Sequence, residues 1–176
     1  MDTRDLSLTA IFVSLYFVIN TLQTMLVGPI TYGPIQLRVA DCLLALAALF
    51  GWPVVFGVSG GAFLANAYYF LDPLDVAFGP IANFIAASLI LLLRNRRLLA
   101  CVVGALPIGI IVGGYLWLFF PPPEILGFLP VAAAMIASIT ISSLIAIGVI
   151  GYILLVALSK PNIIEPLKSR GLKVIK

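Results

Sequence analysis

Long stretches without a charged side chain constrain this chain more than any other feature of its sequence. Residues 6–37, 42–71 and 125–159 contain no Asp, Glu, Lys or Arg. A helix needs about 20 apolar residues to cross the hydrocarbon core of a bilayer, and each of these stretches is longer. Since 62% of all residues are hydrophobic and only 10% are charged, the composition lies far outside the soluble range. The sequence therefore predicts an all-α integral membrane protein with a single membrane domain.

The basic residues predict its topology. Nine of the ten lysines and arginines lie at Arg4, within residues 94–97, and from Lys160 onwards. Because such residues concentrate on the cytoplasmic side, an even number of crossings must separate these groups, and the stretch 42–71 is expected to form two short helices broken near Gly51. We predict six transmembrane helices with both termini cytoplasmic, at residues 6–27, 38–51, 53–71, 76–93, 98–120 and 130–158, and a basic cytoplasmic tail at residues 159–176.

One segment, residues 33–44, brings three polar side chains into apolar surroundings. Gly33 and Pro34 signal a turn, and proline favours a helix that begins just after it, so Gln36, Arg38 and Asp41 are expected in the first helical turns. Arg38 and Asp41 would be neighbours at i and i+3. Arg38 is also the one basic residue on the predicted outer side. The segment indicates a small-molecule site, and the alternative is an ion pair whose side chains extend to the interface.

The predicted topology gathers further polar and aromatic residues at the outer face. Asn66 and Asn83 are expected one or two turns inside the membrane, close to Asp75. Tyr68 and Trp117 lie near the same level, where they would either stack on a planar ligand or belong to the interfacial aromatic belt. The predicted substrate-binding residues are Gln36, Arg38, Asp41, Asn66, Asp75, Asn83, Tyr68 and Trp117.

Small residues recur at four-residue spacing in two of the predicted helices. The rows within residues 57–65 and 79–87 follow the pattern that lets membrane helices approach closely, so helices three and four are expected to pack tightly. Ala10 and Ser14 repeat the pattern more weakly on helix one. This pair is interpreted either as a docking face for another membrane protein or as an internal packing face.

Several chemistries are excluded by missing residues. Ser59 lies in a G-x-S-x-G pattern, but the chain has no histidine and no lysine between Arg38 and Lys160, so the serine lacks a base. Two cysteines without histidine do not build a metal site. Since no phosphate-binding loop is present either, we expect no enzymatic activity, no metal and no cofactor in this chain, and the short basic clusters give no support for nucleic-acid binding.

Residues 32–43, with the sequence YGPIQLRVADCL, resemble the pattern F-G-P-I-Q-F-R-[VI]-[SA]-E-A-L of the QueT-type queuosine-precursor transporters, which are substrate-binding S components of energy-coupling factor (ECF) transporters. Residues 61–66 resemble the family's G-x-x-[IL]-A-N, and residues 74–79 its L-D-V-V-F-G. Helix one, with Ala10 and Ser14, is similar to its A-x-x-x-A-x-Y. Asp41 replaces the family's glutamate and Asn83 a threonine. The resemblance covers roughly the first half of the chain.

The resemblance implies import of a 7-deazaguanine such as preQ1, preQ0 or queuine from outside a prokaryotic plasma membrane. The complex would contain a transmembrane coupling protein and two cytoplasmic ATPases, which use the ATP. Asp41 or Asp75 would accept hydrogen bonds from the guanine-like edge, while Arg38 or Asn66 would donate to its carbonyl group. Residues 27–37 would form the lid over the ligand, and Ala10 with Ser14 the docking face.

Two other functions compete with this interpretation. The first is an S component for another small solute, such as a vitamin or an aromatic amino acid. The second belongs to a different class, a non-transport membrane assembly protein whose polar cluster is structural. Alanine at the polar positions separates a structural cluster, which should lose folded yield, from a binding cluster, which should lose the ligand.

Overall fold

The computed structural model describes residues 2–169 and 171–175. Arg170 and Lys176, both assigned above to the basic tail, lie outside these ranges. Within the described residues the chain forms helices and loops and no strand, which confirms the all-helical prediction. We number the main helices α1 (Thr3–Tyr32), α2 (Val39–Phe50), α3 (Trp52–Tyr68), α4 (Pro73–Leu92), α5 (Arg97–Leu116), α6 (Val131–Leu158) and α7 (Pro161–Ser169).

In the part of the chain that the structure describes, four stretches of helix are long and apolar enough to cross a membrane, namely Thr3–Gly28, Pro73–Leu92, Arg97–Leu116 and Val131–Leu158. The other two helices of the apolar region, α2 and α3, are shorter. The chain breaks between them at Gly51, whose φ of +73° suits glycine best. The arrangement with six crossings and two cytoplasmic termini stays a prediction.

Two helices depart from α-helical winding. The first part of α2, Val39–Leu46, is a 3-10 helix, and only Ala47–Phe50 is α-helical. In α6, Leu144–Gly151 winds as a π-helix. The two irregular stretches touch, because a Cβ atom on Gly151 would lie 3.0 Å from the Cys42 carbonyl oxygen. Long 3-10 and π stretches are uncommon and often mark functional regions.

The glycines of α3 lie against α1. A Cβ atom on Gly57 would lie 2.5 Å from the Cβ of Phe12, and one on Gly61 would lie 2.6 Å from the Cβ of Tyr16. The small residues at 57–65, which were predicted to pack α3 against α4, therefore pack α3 mainly against α1. The α3–α4 contact is close at Gly79, where a Cβ would meet the side-chain amide of Asn66.

The C-terminal segment returns to the start of α1. Lys173 Nζ lies 2.6 Å from Asp2 Oδ2 and 3.7 Å from Asp5 Oδ2, and Arg4 donates a hydrogen bond of 3.0 Å to the Gly171 carbonyl. The hydrogen bond from Lys173 lowers the pKa of the Asp2 carboxyl group to about 2. Within the described residues, the predicted basic tail is thus partly bound to the helix at the other end of the chain.

Candidate functional site

Six of the eight predicted site residues are buried, with side chains at most 6% exposed, although all six are polar or charged. They come from four different segments: the loop after α1, the 3-10 part of α2, the end of α3 and the helix α4. Buried polar groups are rare and need partners, so such a group is the strongest candidate for a site. The six are Gln36, Arg38, Asp41, Asn66, Asp75 and Asn83.

Arg38 joins the loop after α1 to α3 and α4. Its Nη1 donates a hydrogen bond of 3.0 Å to Asn66 Oδ1, and its Nη2 lies 3.8 Å from Asp75 Oδ1. The guanidinium carbon lies 4.6 Å from the centre of the Tyr32 ring, a cation–π distance. Asn66 in turn donates to the backbone carbonyl of Asp75 at 2.8 Å. The arginine is therefore fixed on three sides inside the protein and does not extend to the interface.

Asp41 forms a second group with α1 and α4. Tyr16 donates a hydrogen bond of 2.6 Å to Asp41 Oδ1, and Asn83 donates to the Tyr16 hydroxyl at 3.0 Å. Asp41, Tyr16 and Asn83 therefore form one buried hydrogen-bonded group.

Gln36 and Arg38 were predicted to lie in the first helical turns after Pro34, and that part of the prediction is wrong. The 3-10 helix begins at Val39, Arg38 is its N-terminal flanking residue, and Gln36 adopts a φ of +44° in a loop. The physical reason is that other helices bind this loop's peptide groups: Gln23 of α1 accepts from the Val39 amide at 2.7 Å and donates to the Leu37 carbonyl. Arg38 and Asp41 consequently contact different partners instead of forming the predicted i,i+3 pair.

Four buried polar atoms in this region have no hydrogen-bond partner among the described residues: Gln36 Nε2, Arg38 Nε, Arg38 Nη2 and Asp75 Oδ2. A buried polar atom left unpaired costs about 1–3 kcal/mol. Three of the atoms are donors and one is an acceptor. The site therefore offers a bound molecule both hydrogen-bond donors and a carboxylate oxygen.

Tyr68 and Trp117 lie outside the buried group. Tyr68 is 62% exposed and packs edge-on against Phe17. Trp117 is 39% exposed, and its indole nitrogen donates to the Gly114 carbonyl at 2.9 Å. Among the described residues neither ring contacts Arg38 or Asp75, so this geometry agrees better with the interfacial alternative stated for both.

Three tyrosines that are not among the predicted substrate-binding residues complete the site. Tyr16 and Tyr32 contact Asp41 and Arg38 as described, and Tyr115 of α5 donates a hydrogen bond of 2.7 Å to Asp75 Oδ1. Tyrosines in membrane proteins are common at the membrane interfaces, so the sequence alone does not distinguish a buried tyrosine of a site from an interfacial one. The usable signal for Tyr115 is its place inside an otherwise apolar stretch, one turn before the predicted membrane boundary.

The small residues of α1 face away from the bundle. Ala10 and Ser14 are both exposed and line a shallow apolar groove with Ile11, Leu15 and Val18. Of the two interpretations given for this pair, an internal packing face does not agree with the exposure of both side chains. A surface for another membrane-embedded protein agrees with it.

In a comparison with known families, the family model described as QueT transporter matches residues 6–160. This range holds α1 from its fourth residue, α2 to α6 and all the residues of the buried site. The match confirms the resemblance drawn from residues 32–43 and extends it through the second half of the chain. No curated protein and no solved structure matches the chain.

Proposed function

This chain belongs to the QueT transporter family, and on that basis we propose that it captures a queuosine precursor of the 7-deazaguanine class at the buried Arg38–Asp75 cluster. In this proposal it is the substrate-binding S component of an ECF-type importer. A transmembrane coupling protein and two cytoplasmic ATPases complete the complex, and they use the ATP. The complex acts in a prokaryotic plasma membrane and takes up the base from outside.

The observation that carries the proposal is the pattern of unpaired atoms beside one another in the cluster. A guanine-like edge carries N–H donors next to a carbonyl acceptor. Asp75 Oδ2 is an unpaired acceptor for those donors, and Arg38 Nη2 is an unpaired donor for the carbonyl. The carboxylate and guanidinium lie 3.8 Å apart, so one planar edge can reach both. Asp75 is preferred to Asp41 as the base-binding carboxylate because it retains an unpaired oxygen.

The charges of the site favour one kind of deazaguanine. The buried region holds one guanidinium and two carboxyl groups, those of Asp41 and Asp75. When both carboxyl groups are ionised the sum is one negative charge, which is costly in an apolar region unless it is paired. A ligand with a protonated amine balances that charge. We therefore expect an amine-bearing base such as preQ1 to bind more tightly than the nitrile preQ0.

The unpaired atoms also bear on the alternative of a purely structural cluster. A polar network kept only for folding is normally satisfied internally. Here four buried donor and acceptor atoms have no partner among the described residues. A bound ligand would supply hydrogen-bond partners for these atoms, whereas a purely structural role leaves them unpaired.

The test is thermal unfolding of the detergent-purified protein with preQ1, preQ0, queuine and guanine. A ligand that binds only the folded protein raises its stability by about 2.7 kcal/mol at a hundredfold excess over the dissociation constant. We expect the largest shift with preQ1 and no shift for Asp75→Asn, a variant that keeps the shape of the side chain. The proposal is rejected if the folded wild-type protein shows no shift with any deazaguanine.

A further inference from the structure

The loop at residues 33–38 is attached to α6 by two serine hydroxyls. Ser138 donates a hydrogen bond of 2.8 Å to the Pro34 carbonyl, and the Ser142 hydroxyl shares its proton between the carbonyl of Ile35 and, at 3.0 Å, that of Ser138 in its own helix. The serines are one helical turn apart and therefore lie on the same face of α6. Both are buried, at 6% and 3% exposed. Consecutive carbonyls of one loop thus bind consecutive turns of one helix.

The residue after these two carbonyls is held in a strained conformation. Among the described residues, Gln36 alone combines a side chain with a positive φ, +44°. Such backbone conformations cost free energy and persist only where the surroundings enforce them. The serine bonds just before Gln36, and the Gln23 bonds just after it, are the contacts that enforce it. The side chain of Gln36 is consequently buried, 5% exposed, with its amide nitrogen unpaired.

This loop is the segment that has to move when a molecule enters or leaves the site. Arg38, Asn66 and Asp75 are at most 6% exposed, so an external ligand reaches them only after part of the protein opens. Helices α3 and α4 are held by their own backbone hydrogen bonds. The loop instead carries Arg38 itself and is held by side chains, which makes its opening the least costly.

We propose that Ser138 and Ser142 form a latch that keeps the 33–38 loop closed over the cluster and sets how fast it opens. For the ligand, the inference rests on the proposed function above. Among the described residues, neither hydroxyl has a hydrogen bond to Arg38, Asp41 or Asp75. The serines are therefore positioning residues and act on the site only through the loop.

A latch has a kinetic signature that a ligand contact lacks. The serine–loop bonds are present in the empty protein, so they stabilise the closed loop whether or not a ligand is inside. Removing a bond then speeds entry and release by the same factor and leaves the dissociation constant nearly unchanged. For a neutral hydrogen bond, the expected factor is about two- to tenfold per hydroxyl. A residue that touches the ligand changes the dissociation constant instead.

The first test needs no ligand. Hydrogen exchange followed by mass spectrometry, on a peptide covering residues 33–40 of the full-length protein, compares wild type with Ser138→Ala, Ser142→Ala and the double variant. We expect protection in this peptide to fall about two- to tenfold for each serine. The control is Ser143→Ala, because Ser143 is as buried as Ser142 but has no hydrogen bond to the loop among the described residues. Equal protection in the wild type and both single variants would overturn the latch.

The second test follows the binding kinetics of preQ1 by stopped flow. Both rate constants should rise together in the serine variants, with the dissociation constant within about twofold of wild type. A rise in the dissociation constant without faster entry would make the serines ligand contacts and also overturn the latch. If the wild type binds no deazaguanine, the proposed function fails, while the exchange experiment still decides the latch. Should the double variant unfold, the two single variants carry both measurements.

Discussion

Tyr115 binds one of the two oxygens of the Asp75 carboxylate and leaves the other unpaired within the described part of the chain. The tyrosine hydroxyl of α5 donates to Oδ1 at 2.7 Å, while Oδ2 stays unpaired and buried among the described residues. One oxygen therefore holds the side chain in place and the other is left for a ligand. Such an arrangement orients a binding group before the ligand arrives, which reduces the ordering that binding has to accomplish.

Replacing Tyr115 with Phe removes only the hydroxyl that orients Asp75. The buried carboxylate then lacks a donor, so we expect the free energy of unfolding to fall by about 1–3 kcal/mol and preQ1 binding to weaken about tenfold. Calorimetric titration and thermal unfolding measure the two effects. Tyr68→Phe is the matched control, because Tyr68 lies near the same end of the bundle but is 62% exposed. An equal effect of both substitutions would contradict the special role of Tyr115.

Substitutions in the ion pair between Arg38 and Asp75 should affect the stability of the protein and its binding of preQ1 differently. Removing one partner of a buried pair leaves an unpaired charge and costs about 3–5 kcal/mol, whereas replacing both partners is often nearly neutral. We therefore expect Arg38→Met to destabilise the protein strongly and the double variant Arg38→Met with Asp75→Asn to recover most of that loss. Binding of preQ1 should be absent from both. Recovery of binding together with stability would show that the pair is structural only.

The close approach of α1 and α3 predicts a steric effect at Gly61. A methyl group there would lie 2.6 Å from the Cβ of Tyr16 and 2.9 Å from the Val13 carbonyl oxygen, so the helices must separate. Overpacking of this kind costs about 1–3 kcal/mol, and Gly61→Ala should lower the melting temperature accordingly. Gly114→Ala is the control, since nothing lies within 4 Å of the added atom. It should not lower the melting temperature, because the added methyl group meets no other atom and alanine favours a helix more than glycine does.

The groove at Ala10 and Ser14 predicts a separation of uptake from binding. A tryptophan at either position fills the groove without touching the buried site, so preQ1 binding should be retained. In the proposed complex the coupling protein docks on these small residues, so uptake into cells that express the complete complex should be lost. Ala133→Trp, at an exposed alanine of α6, should leave both unchanged. Loss of binding in the Ala10 or Ser14 variants would contradict the docking role.

The contact between Lys173 and Asp2 predicts a titration that can be followed directly. Because the pKa of Asp2 is lowered from 3.8 to about 2 in the folded protein, the contact stabilises the bound tail fully above pH 3.8, and the stabilisation disappears as the pH falls through about 2. NMR of the Asp2 carboxyl carbon should show its midpoint return towards 3.8 in Lys173→Met. Lys160→Met should not move it. An unchanged midpoint in Lys173→Met would exclude the contact in solution.

The sequence was sufficient to identify the polar residues of the site because charged and amide side chains are conspicuous in apolar stretches. Gln36, Arg38, Asp41 and Asn66 could be selected in this way, and Gly51 marked the helix break. The partners of Arg38 could not be predicted. These partners depend on the position of a loop that side chains of α1 and α6 hold. In the pairs Pro34–Ser138 and Ile35–Ser142 the two residues are more than 100 positions apart in the chain. Local helix signals in the sequence do not contain such long-range contacts.

The bound tail was missed for a different reason. Lys173 and Arg4 were fully accounted for by the positive-inside rule, which leaves no further signal in the sequence for their contacts with Asp2 and Gly171. Tyr115 was missed because tyrosine is expected near membrane interfaces. In each case a general rule for membrane proteins already explained the position of the residue, so the sequence did not indicate its specific contact.

The two tryptophans of the chain stand at opposite ends of the site's supporting helices. Trp52 begins α3, whose far end carries Asn66, whereas Trp117 follows Tyr115 by two residues at the end of α5. A Trp52→Phe variant therefore has a single indole fluorophore, two residues after the tyrosine that binds the Asp75 carboxylate. The emission of that indole would make the protein its own optical sensor of site occupancy, with no label attached.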